Sequence, residues 1–144
     1  MTRSEKAVSI FNEGFSCSQA TLSAFAVDFG LYEELALKVS CAFGGGISHL
    51  GSICGVVSGA LMVIGLKYGR TKKEDTKARD ETYGLANEFI NRFKERNNSI
   101  ICNELLGCDI STIDGLEIAK RKRSEPNFCP KFVKSAVEIL EEIL

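Results

Sequence analysis

Apolar residues recur every three or four positions through most of this 144-residue chain, and no segment alternates apolar and polar residues as a half-buried strand does. The C-terminal segment has the most regular pattern, with apolar side chains at Phe132, Val133, Ala136, Val137, Leu140 and Ile143. A period of 3.6 residues gives a helix one apolar face, which must pack against another element to leave water. The sequence therefore predicts an all-α fold, a compact helical bundle of about five to seven helices.

Start and stop signals divide the chain into these helices. Ser16 with Gln19, and Thr71 with Glu74, have the spacing of capping boxes, in which two side chains satisfy the free amides of a first helical turn. Glycines follow the apolar runs as stop signals, at positions 14, 30, 69 and 107. No tract rich in Gly, Ser or Pro separates two halves, so we expect residues 1–144 to form a single domain.

Composition restricts the partners and the compartment that we expect. Eighteen basic and nineteen acidic residues leave a formal charge of −1, which provides no electrostatic footprint for nucleic acid. The longest apolar run, Ile53–Leu66, is shorter than the roughly 20 residues that cross a bilayer, so we expect a buried helix and no membrane insertion. The N-terminus carries Glu5 and Glu13 and lacks the apolar stretch of a secretory signal, which predicts a cytoplasmic location.

The six cysteines are the residues that most need a chemical explanation. They make up about 4% of the chain, below the 8–10% typical of disulfide scaffolds, and a reducing cytoplasm disfavours permanent disulfides. Four of them fall at or near predicted helix starts: Cys17, Cys54, Cys102 and Cys129. Free amides and the helix dipole favour negative charge there, so these positions stabilise thiolates, the form that acts as nucleophile or metal ligand.

The two other cysteines have simpler explanations. Cys41 lies four residues after Leu37 on a predicted helix from Glu33 to Phe43, and core packing is expected for it. Cys108 follows the stop at Gly107 and is expected to be exposed and incidental, with a role as an extra reactive or resolving thiol left open.

The spacing of the four helix-start cysteines excludes several familiar sites. They are separated by 36, 47 and 26 residues, unlike the tight pairs of structural zinc sites. There is no C-x-x-C pair for a thioredoxin-like centre and no C-x-x-C-H for a c-type haem. Distant thiolates still converge where packed helices bring their starts together, and four thiolates are the ligand number of an iron–sulfur cluster.

The loop after the predicted third helix, together with the residue after Cys54, supplies the other candidate residues for cofactor binding. Gly44, Gly45 and Gly46 allow backbone amides to approach a cluster or an anion, although they lack the Lys and Ser/Thr of a phosphate loop. His49 is a secondary candidate as a ligand, a thiolate partner or a proton shuttle, while a lone histidine in a polar loop commonly just faces solvent. Gly55, next to Cys54, completes this set.

Two further features are explained by packing and solvation. Glycines at positions 55, 59, 65 and 69 form small-xxx-small pairs, which suit close packing within the chain and leave a homodimer open. The basic run Lys120–Arg123 is flanked by Glu117 and Glu125 and is assigned no function, since a solvated helix end accounts for it.

Five segments of the chain together have a recognisable pattern: FSCSQA at 15–20, FGGG at 43–46, CGVVSGA at 54–60, CNELLG at 102–107 and CPK at 129–131. In this order they resemble the C_GCAxxG_C_C family of small proteins, over nearly the whole chain. The resemblance carries the four family cysteines onto Cys17, Cys54, Cys102 and Cys129, and makes Cys41 and Cys108 additions. It implies a redox role without naming a substrate. Val56 stands where the family's central motif usually has alanine.

Two functions of different classes follow from these residues. The first is a redox protein in which the four cysteines converge, preferably as ligands of an iron–sulfur cluster for electron transfer, or with no cofactor and a reversible disulfide; it needs a redox partner protein. The second is a non-catalytic module that binds a metal or ligand, or regulates a transporter as its partner. No acid–base constellation or nucleotide motif is present, so enzymatic status is left open.

Overall fold

The computed structural model describes residues 1–144, and every regular element in it is helical. Seven helices have eight or more residues and one has five: Arg3–Asn12, Cys17–Ala26, Glu33–Ser40, Gly55–Tyr68, Thr76–Asn97, Cys102–Leu106, Ile113–Arg123 and Phe128–Ile143. Short 3-10 turns at Val27–Phe29 and Cys41–Phe43 extend the second and third helices, and Gly44–Ile47 adds one further turn. The predicted all-α fold is confirmed. No helix combines the length and the apolar character that crossing a bilayer demands.

The Cys17–Ala26 helix, called the Cys17 helix below, lies at the centre of the bundle. Eight of its ten residues are buried, and it packs against Arg3–Asn12, Glu33–Ser40 and Gly55–Tyr68. The last of these follows Cys54 and is called the Cys54 helix; it is apolar around most of its circumference, as expected of a helix surrounded by others. With Thr76–Asn97 and Phe128–Ile143, the Cys129 helix, these elements enclose a core of 22 buried residues.

A second, smaller apolar cluster lies beside this core. It comprises Cys102, Leu106, Ile110 and Ala119, from the five-residue Cys102 helix, the loop after it and the Ile113–Arg123 helix. The Lys122 ammonium donates a hydrogen bond to the Leu106 carbonyl and so joins the two helices. The chain therefore has two apolar clusters, and the boundary between them is where the candidate site lies.

Gly59 explains the close approach of the two central helices. A Cβ at this position would lie 2.8 Å from the Ser18 carbonyl oxygen, closer than real Cβ atoms come. At Gly65, one turn before the last glycine of the small-residue pattern, a Cβ would meet no atom within 4 Å. The small residues are thus used for packing within the chain at the start of the Cys54 helix, and the homodimer stays a prediction.

Two local predictions are wrong. Cys41 is exposed instead of buried, because its helix tightens into the 3-10 turn Cys41–Phe43 and the change from 3.6 to 3.0 residues per turn moves the side chain off the buried face. Thr71 does not cap a helix. The long helix begins at Thr76, where the Asp75 side chain accepts a hydrogen bond from the Ala78 amide at 3.0 Å, and Asp is as good a cap as Ser or Thr.

Candidate functional site

One cavity of about 540 Å³ is lined by all four cysteines of the predicted set, Cys17, Cys54, Cys102 and Cys129. It lies where the two apolar clusters meet, since Cys17 and Cys54 belong with the main core and Cys102 and Cys129 with the smaller cluster. The residues predicted to bind a cofactor are close by: Gly44, Gly45 and His49 line the cavity, while Gly46 and Gly55 contact Cys102 and Cys17. The exposed Cys41 also lines it; Cys108 does not.

Each of the four cysteines lies at the start of a helix. Cys17 and Cys102 are the first residues of their helices, and Cys54 is the N-cap of its own. Cys129 is the second residue of the last helix, not its N-cap, because that helix begins at Phe128 and Asn127 precedes it. Four first turns with unpaired amides therefore point their cysteines into one cavity. The expected stabilisation of the thiolate is found at Cys17 alone, because burial raises the pKa values of Cys102 and Cys129, and the hydrogen bond with Cys17, together with burial, raises the pKa of Cys54.

The first turn of the Cys17 helix is fixed by the predicted capping box. The Ser16 amide donates to Gln19 Oε1 at 3.0 Å, and the Gln19 amide donates to Ser16 Oγ at 3.4 Å. Gln19 Nε2 and Ser18 Oγ then donate to the carbonyls of Leu37 and Ser40, at 3.0 and 2.8 Å. These bonds anchor the turn to the Glu33–Ser40 helix and hold Cys17 in place.

Gly55 lets the sulfur of Cys17 reach the start of the Cys54 helix. A Cβ at position 55 would lie 2.5 Å from Cys17 Sγ and 3.0 Å from the Ser18 amide nitrogen. Any side chain here would therefore push the sulfur away. The absence of one places Cys17 next to the amino ends of two helices, its own and the Cys54 helix, and both favour its thiolate.

The backbone between the third helix and Cys54 runs through five consecutive residues with positive φ, from Gly45 to His49. Only two are glycines; Ile47, Ser48 and His49 have φ of 66°, 50° and 66°, and left-handed backbone costs each of them about 1–2 kcal/mol. We call residues 45–49 the left-handed segment. The Ser48 amide donates to the Ala42 carbonyl at 2.9 Å, which holds the segment with the Gly45 amide facing Cys17.

A single antiparallel bridge between Ile53 and Ile101 joins two of the cysteine-bearing segments. The Cys54 amide donates to the Ile100 carbonyl at 2.7 Å, and the Cys102 amide donates to the Ser52 carbonyl at 2.6 Å. Cys54 and Cys102 are thus held side by side by their backbones, one from each apolar cluster.

Cys17 and Cys54 influence each other's ionisation more than any other group does. The Cys54 thiol donates to Cys17 and, with the amides of Gly45 and Ser18 and the positive charge of Arg123, lowers the pKa of Cys17 to about 7 although burial opposes this. The pKa of Cys54 is raised well above its ordinary value, first by that same hydrogen bond and then by burial and the charge of Cys17. At neutral pH Cys17 is therefore about half thiolate, while the buried Cys54 is a thiol.

Cys102 and Cys129 are thiols at neutral pH. Burial, with the negative charge of Cys17, raises the pKa of Cys102 to about 11, and burial is also the first cause of the raised pKa of Cys129. The Arg123 guanidinium donates hydrogen bonds to both sulfurs and opposes these shifts. Arg123 lines the cavity and is the residue that the sequence analysis missed, since nothing in the basic run marks which of its four side chains points inward.

The four sulfurs share a cavity without forming a ligand set. No three side chains among the His, Cys, Asp and Glu residues gather closely enough to hold a metal ion. Within the cavity Cys17 and Cys54 are the two thiols that influence each other most, since each is the first cause of the other's pKa shift.

The pair makes a testable prediction about pH. In a variant without the exposed Cys41 and without Cys108, alkylation of Cys17 is expected to rise from pH 5 to 8 with a midpoint of about 7, because only the thiolate reacts. Replacing Cys54 by alanine removes the donor and moves the midpoint upward. Cys54→Ser, whose hydroxyl still donates, is expected to stay near the original midpoint. Equal midpoints in the two variants would contradict the assignment of Cys54 as donor.

Comparison with known proteins gives one match. A family model described as "Putative redox-active protein (C_GCAxxG_C_C)" matches residues 15–143, nearly the whole chain and all four cysteines of the cavity. No curated protein and no solved structure matches the chain. Val56, which departs from the family motif, is fully buried and lines the cavity, so the larger side chain is accommodated in the core.

Proposed function

The chain belongs to the C_GCAxxG_C_C family of redox-active proteins, and we propose that it carries out thiol–disulfide exchange with Cys17 as the attacking thiolate and Cys54 as the resolving thiol. The pairing of these two cysteines carries the proposal: Cys17 Sγ packs against Gly55, the residue after Cys54, and each cysteine is the first cause of the other's pKa shift. It supplies a nucleophile that is half ionised at neutral pH and a second thiol in contact with it, which is what formation of a disulfide requires.

The proposed reaction has two displacements. The Cys17 thiolate attacks one sulfur of an external disulfide; a bond from Cys17 forms, the external S–S bond breaks, and one thiolate leaves. Cys54 then gives its proton to the departing thiolate and attacks Cys17, which closes the Cys17–Cys54 disulfide and releases the second half of the substrate. The cysteine pair loses two electrons and the one proton of Cys54, and the external disulfide gains the electrons; of its two halves, the first leaves as a thiol with that proton, and the second leaves as a thiolate that is protonated by water according to its own pKa.

The raised pKa of Cys54 suits this order of events. It is raised first by the hydrogen bond to Cys17 and also by the charge of that thiolate. Both disappear once Cys17 is bound to substrate, because the sulfur is then neutral. Cys54 is therefore held protonated while Cys17 attacks and becomes easier to ionise when its own attack is due.

An iron–sulfur cluster for electron transfer is the second candidate. It is favoured by the four cysteine side chains that line one cavity, because four thiolates are the usual ligand number of such clusters. Cys17, Cys54, Cys102 and Cys129 would be its ligands. We rank the thiol pair first because the pKa of Cys17 is lowered while the pKa values of the other three cysteines are raised, a difference that suits one nucleophile more than four equal ligands.

The two candidates are separated by one comparison. The protein, purified and reduced without air, is equilibrated with mixtures of reduced and oxidised glutathione, trapped in acid and mapped by mass spectrometry. We expect a Cys17–Cys54 disulfide, formed equally well in Cys102→Ser and in the control Cys108→Ser. The absence of this disulfide at every ratio would overturn the thiol-pair proposal. Bound iron and sulfide after anaerobic reconstitution, lost in Cys102→Ser, would establish the cluster in its place.

The proposal also needs a cellular setting. A dithiol that donates two electrons must be reduced again, so a redox partner protein is part of the proposed cycle. A cytoplasmic location would keep the pair reduced at rest, because thiol pools there maintain cysteines as thiols.

A further inference from the structure

The cavity that contains the cysteines has an unusual combination of walls. Aromatic and aliphatic side chains line much of it: Phe11, Phe15, Phe132, Leu105 and Leu106. Its lining includes no Asp or Glu, and its one arginine is Arg123. The volume of about 540 Å³ falls within the 300–1,000 Å³ of sites for small molecules.

Arg123 has no carboxylate partner in the protein. None of the nine salt bridges includes it, although the chain has nineteen acidic residues. Its neighbours Cys102 and Cys129 have raised pKa values and are neutral at pH 7, so they do not neutralise its charge. The half-formed thiolate of Cys17 compensates this charge only in part, and a half-buried guanidinium therefore gains from a ligand that supplies a full counter-charge.

We propose that the cavity binds a small anionic disulfide with an apolar body, whose carboxylate or sulfonate pairs with Arg123 while its disulfide faces Cys17. This rests on the proposed thiol–disulfide exchange and adds the class of its substrate. The planar guanidinium matches a carboxylate through two parallel hydrogen bonds, and the phenylalanine walls bury the apolar part of the molecule. The reaction is the one given above: Cys17 displaces one half of the substrate as a thiolate, and Cys54 displaces the other half.

The position of Arg123 also explains why an anion would bind near Cys17 without being repelled. Arg123 acts on both groups, since its charge contributes to the lowered pKa of Cys17 while its hydrogen bonds go to Cys102 and Cys129. A ligand anion on Arg123 is therefore held by the same charge that favours the nucleophile.

The test compares two aromatic disulfides that differ in charge. One is 5,5′-dithiobis(2-nitrobenzoate), which carries two carboxylates; the other is 4,4′-dithiodipyridine, which is neutral at pH 7. Their rate constants with Cys17 are measured by stopped-flow absorbance in the Cys41→Ser, Cys108→Ser background. Because any change in the ionisation of Cys17 affects both reagents, the ratio of the two rate constants isolates the contribution of the anion.

We expect Arg123→Gln to lower this ratio by about tenfold, the effect of losing a charge-assisted hydrogen bond. Arg121→Gln is the matched control, since it removes the same charge from the same helix at an exposed position outside the cavity and should leave the ratio unchanged. A second measurement needs no variant. Added chloride is expected to slow the reaction of the dianionic reagent with Cys17 much more than the reaction of the neutral reagent. An unchanged ratio in Arg123→Gln, or equal salt effects on both reagents, would overturn the inference.

These outcomes differ from a failure of the proposed function. If Cys17→Ser reacts with both reagents as fast as the parent protein, thiol–disulfide exchange at Cys17 is itself wrong. If Cys17→Ser loses the reaction and Arg123→Gln keeps the ratio, only the substrate class is wrong.

Discussion

Cys17→Ser is expected to slow the reaction of the reduced protein with a neutral disulfide by roughly 100-fold at pH 7, in the background that lacks Cys41 and Cys108. Cys17, with a pKa of about 7, is about half thiolate, whereas a thiol with a pKa of about 11, such as Cys102, has a thiolate fraction of about one in ten thousand. The more basic thiolate is intrinsically a better nucleophile, which recovers about 60-fold of this roughly 5,000-fold difference. The factor that remains is the expected loss in rate constant.

The measurement is the rate constant for release of the chromophore from 4,4′-dithiodipyridine. Cys108→Ser, made alone in the Cys41→Ser protein, is the control, because Cys108 lies outside the cavity. It should leave the fast phase intact. A fast phase that survives in Cys17→Ser and disappears in Cys102→Ser or Cys129→Ser would assign the nucleophile to the other side of the cavity.

Gly55→Ala is expected to disable the site and to lower the free energy of unfolding by about 1–3 kcal/mol. The new Cβ would lie 2.5 Å from Cys17 Sγ, with the Ser18 amide and the Phe43 carbonyl close behind at 3.0 and 3.1 Å, so backbone as well as sulfur has to shift. Moving the sulfur away from the Gly45 amide and the Cys54 thiol removes the interactions that lower its pKa. The pH midpoint of alkylation should therefore rise above 7.

The matched control is Gly65→Ala on the same helix. A Cβ at position 65 meets no atom within 4 Å, so only the better helix propensity of alanine remains, worth about 0.5–1 kcal/mol of added stability. Urea unfolding and the alkylation profile measure the two variants together. We expect Gly55→Ala to lose stability and Gly65→Ala to gain it. Only Gly55→Ala should shift the pH midpoint of alkylation. Equal behaviour of the two variants would mean that contact with Gly55 does not position Cys17.

Much of the helical framework is predictable because local signals determine where each helix begins and ends. The Ser16–Gln19 box and the stops at Gly30 and Gly107 are found where the sequence places them. The Thr71–Glu74 box fails because two acceptable caps, Thr71 and Asp75, lie close together, and only the packing of the long helix selects the second. Local rules state which residues can cap a helix, while tertiary contacts decide which one does.

The arrangement of the four helix-start cysteines can be predicted from the sequence only in part. Their positions at helix starts follow from the pattern of caps, but their convergence depends on packing between segments far apart in sequence. The division of roles within the cavity is not predictable at all. Cys17 and Cys54 both lie at a helix start, and the Gly45 amide, the direction of one hydrogen bond and the position of Arg123 distinguish the nucleophile from its partner. The left-handed segment is equally hidden, because three of its residues are not glycines.

The origin of the low pKa of Cys17 has a consequence for biosynthesis. The groups that lower it, the Cys54 thiol, the Gly45 amide and the Arg123 guanidinium, are all encoded later in the sequence than Cys17 itself. A nascent chain that has only begun to leave the ribosome therefore exposes an ordinary cysteine at position 17, protonated at neutral pH and slow to oxidise. The low pKa of Cys17 is thus a property of the folded chain, complete only when residues up to Arg123 are in place.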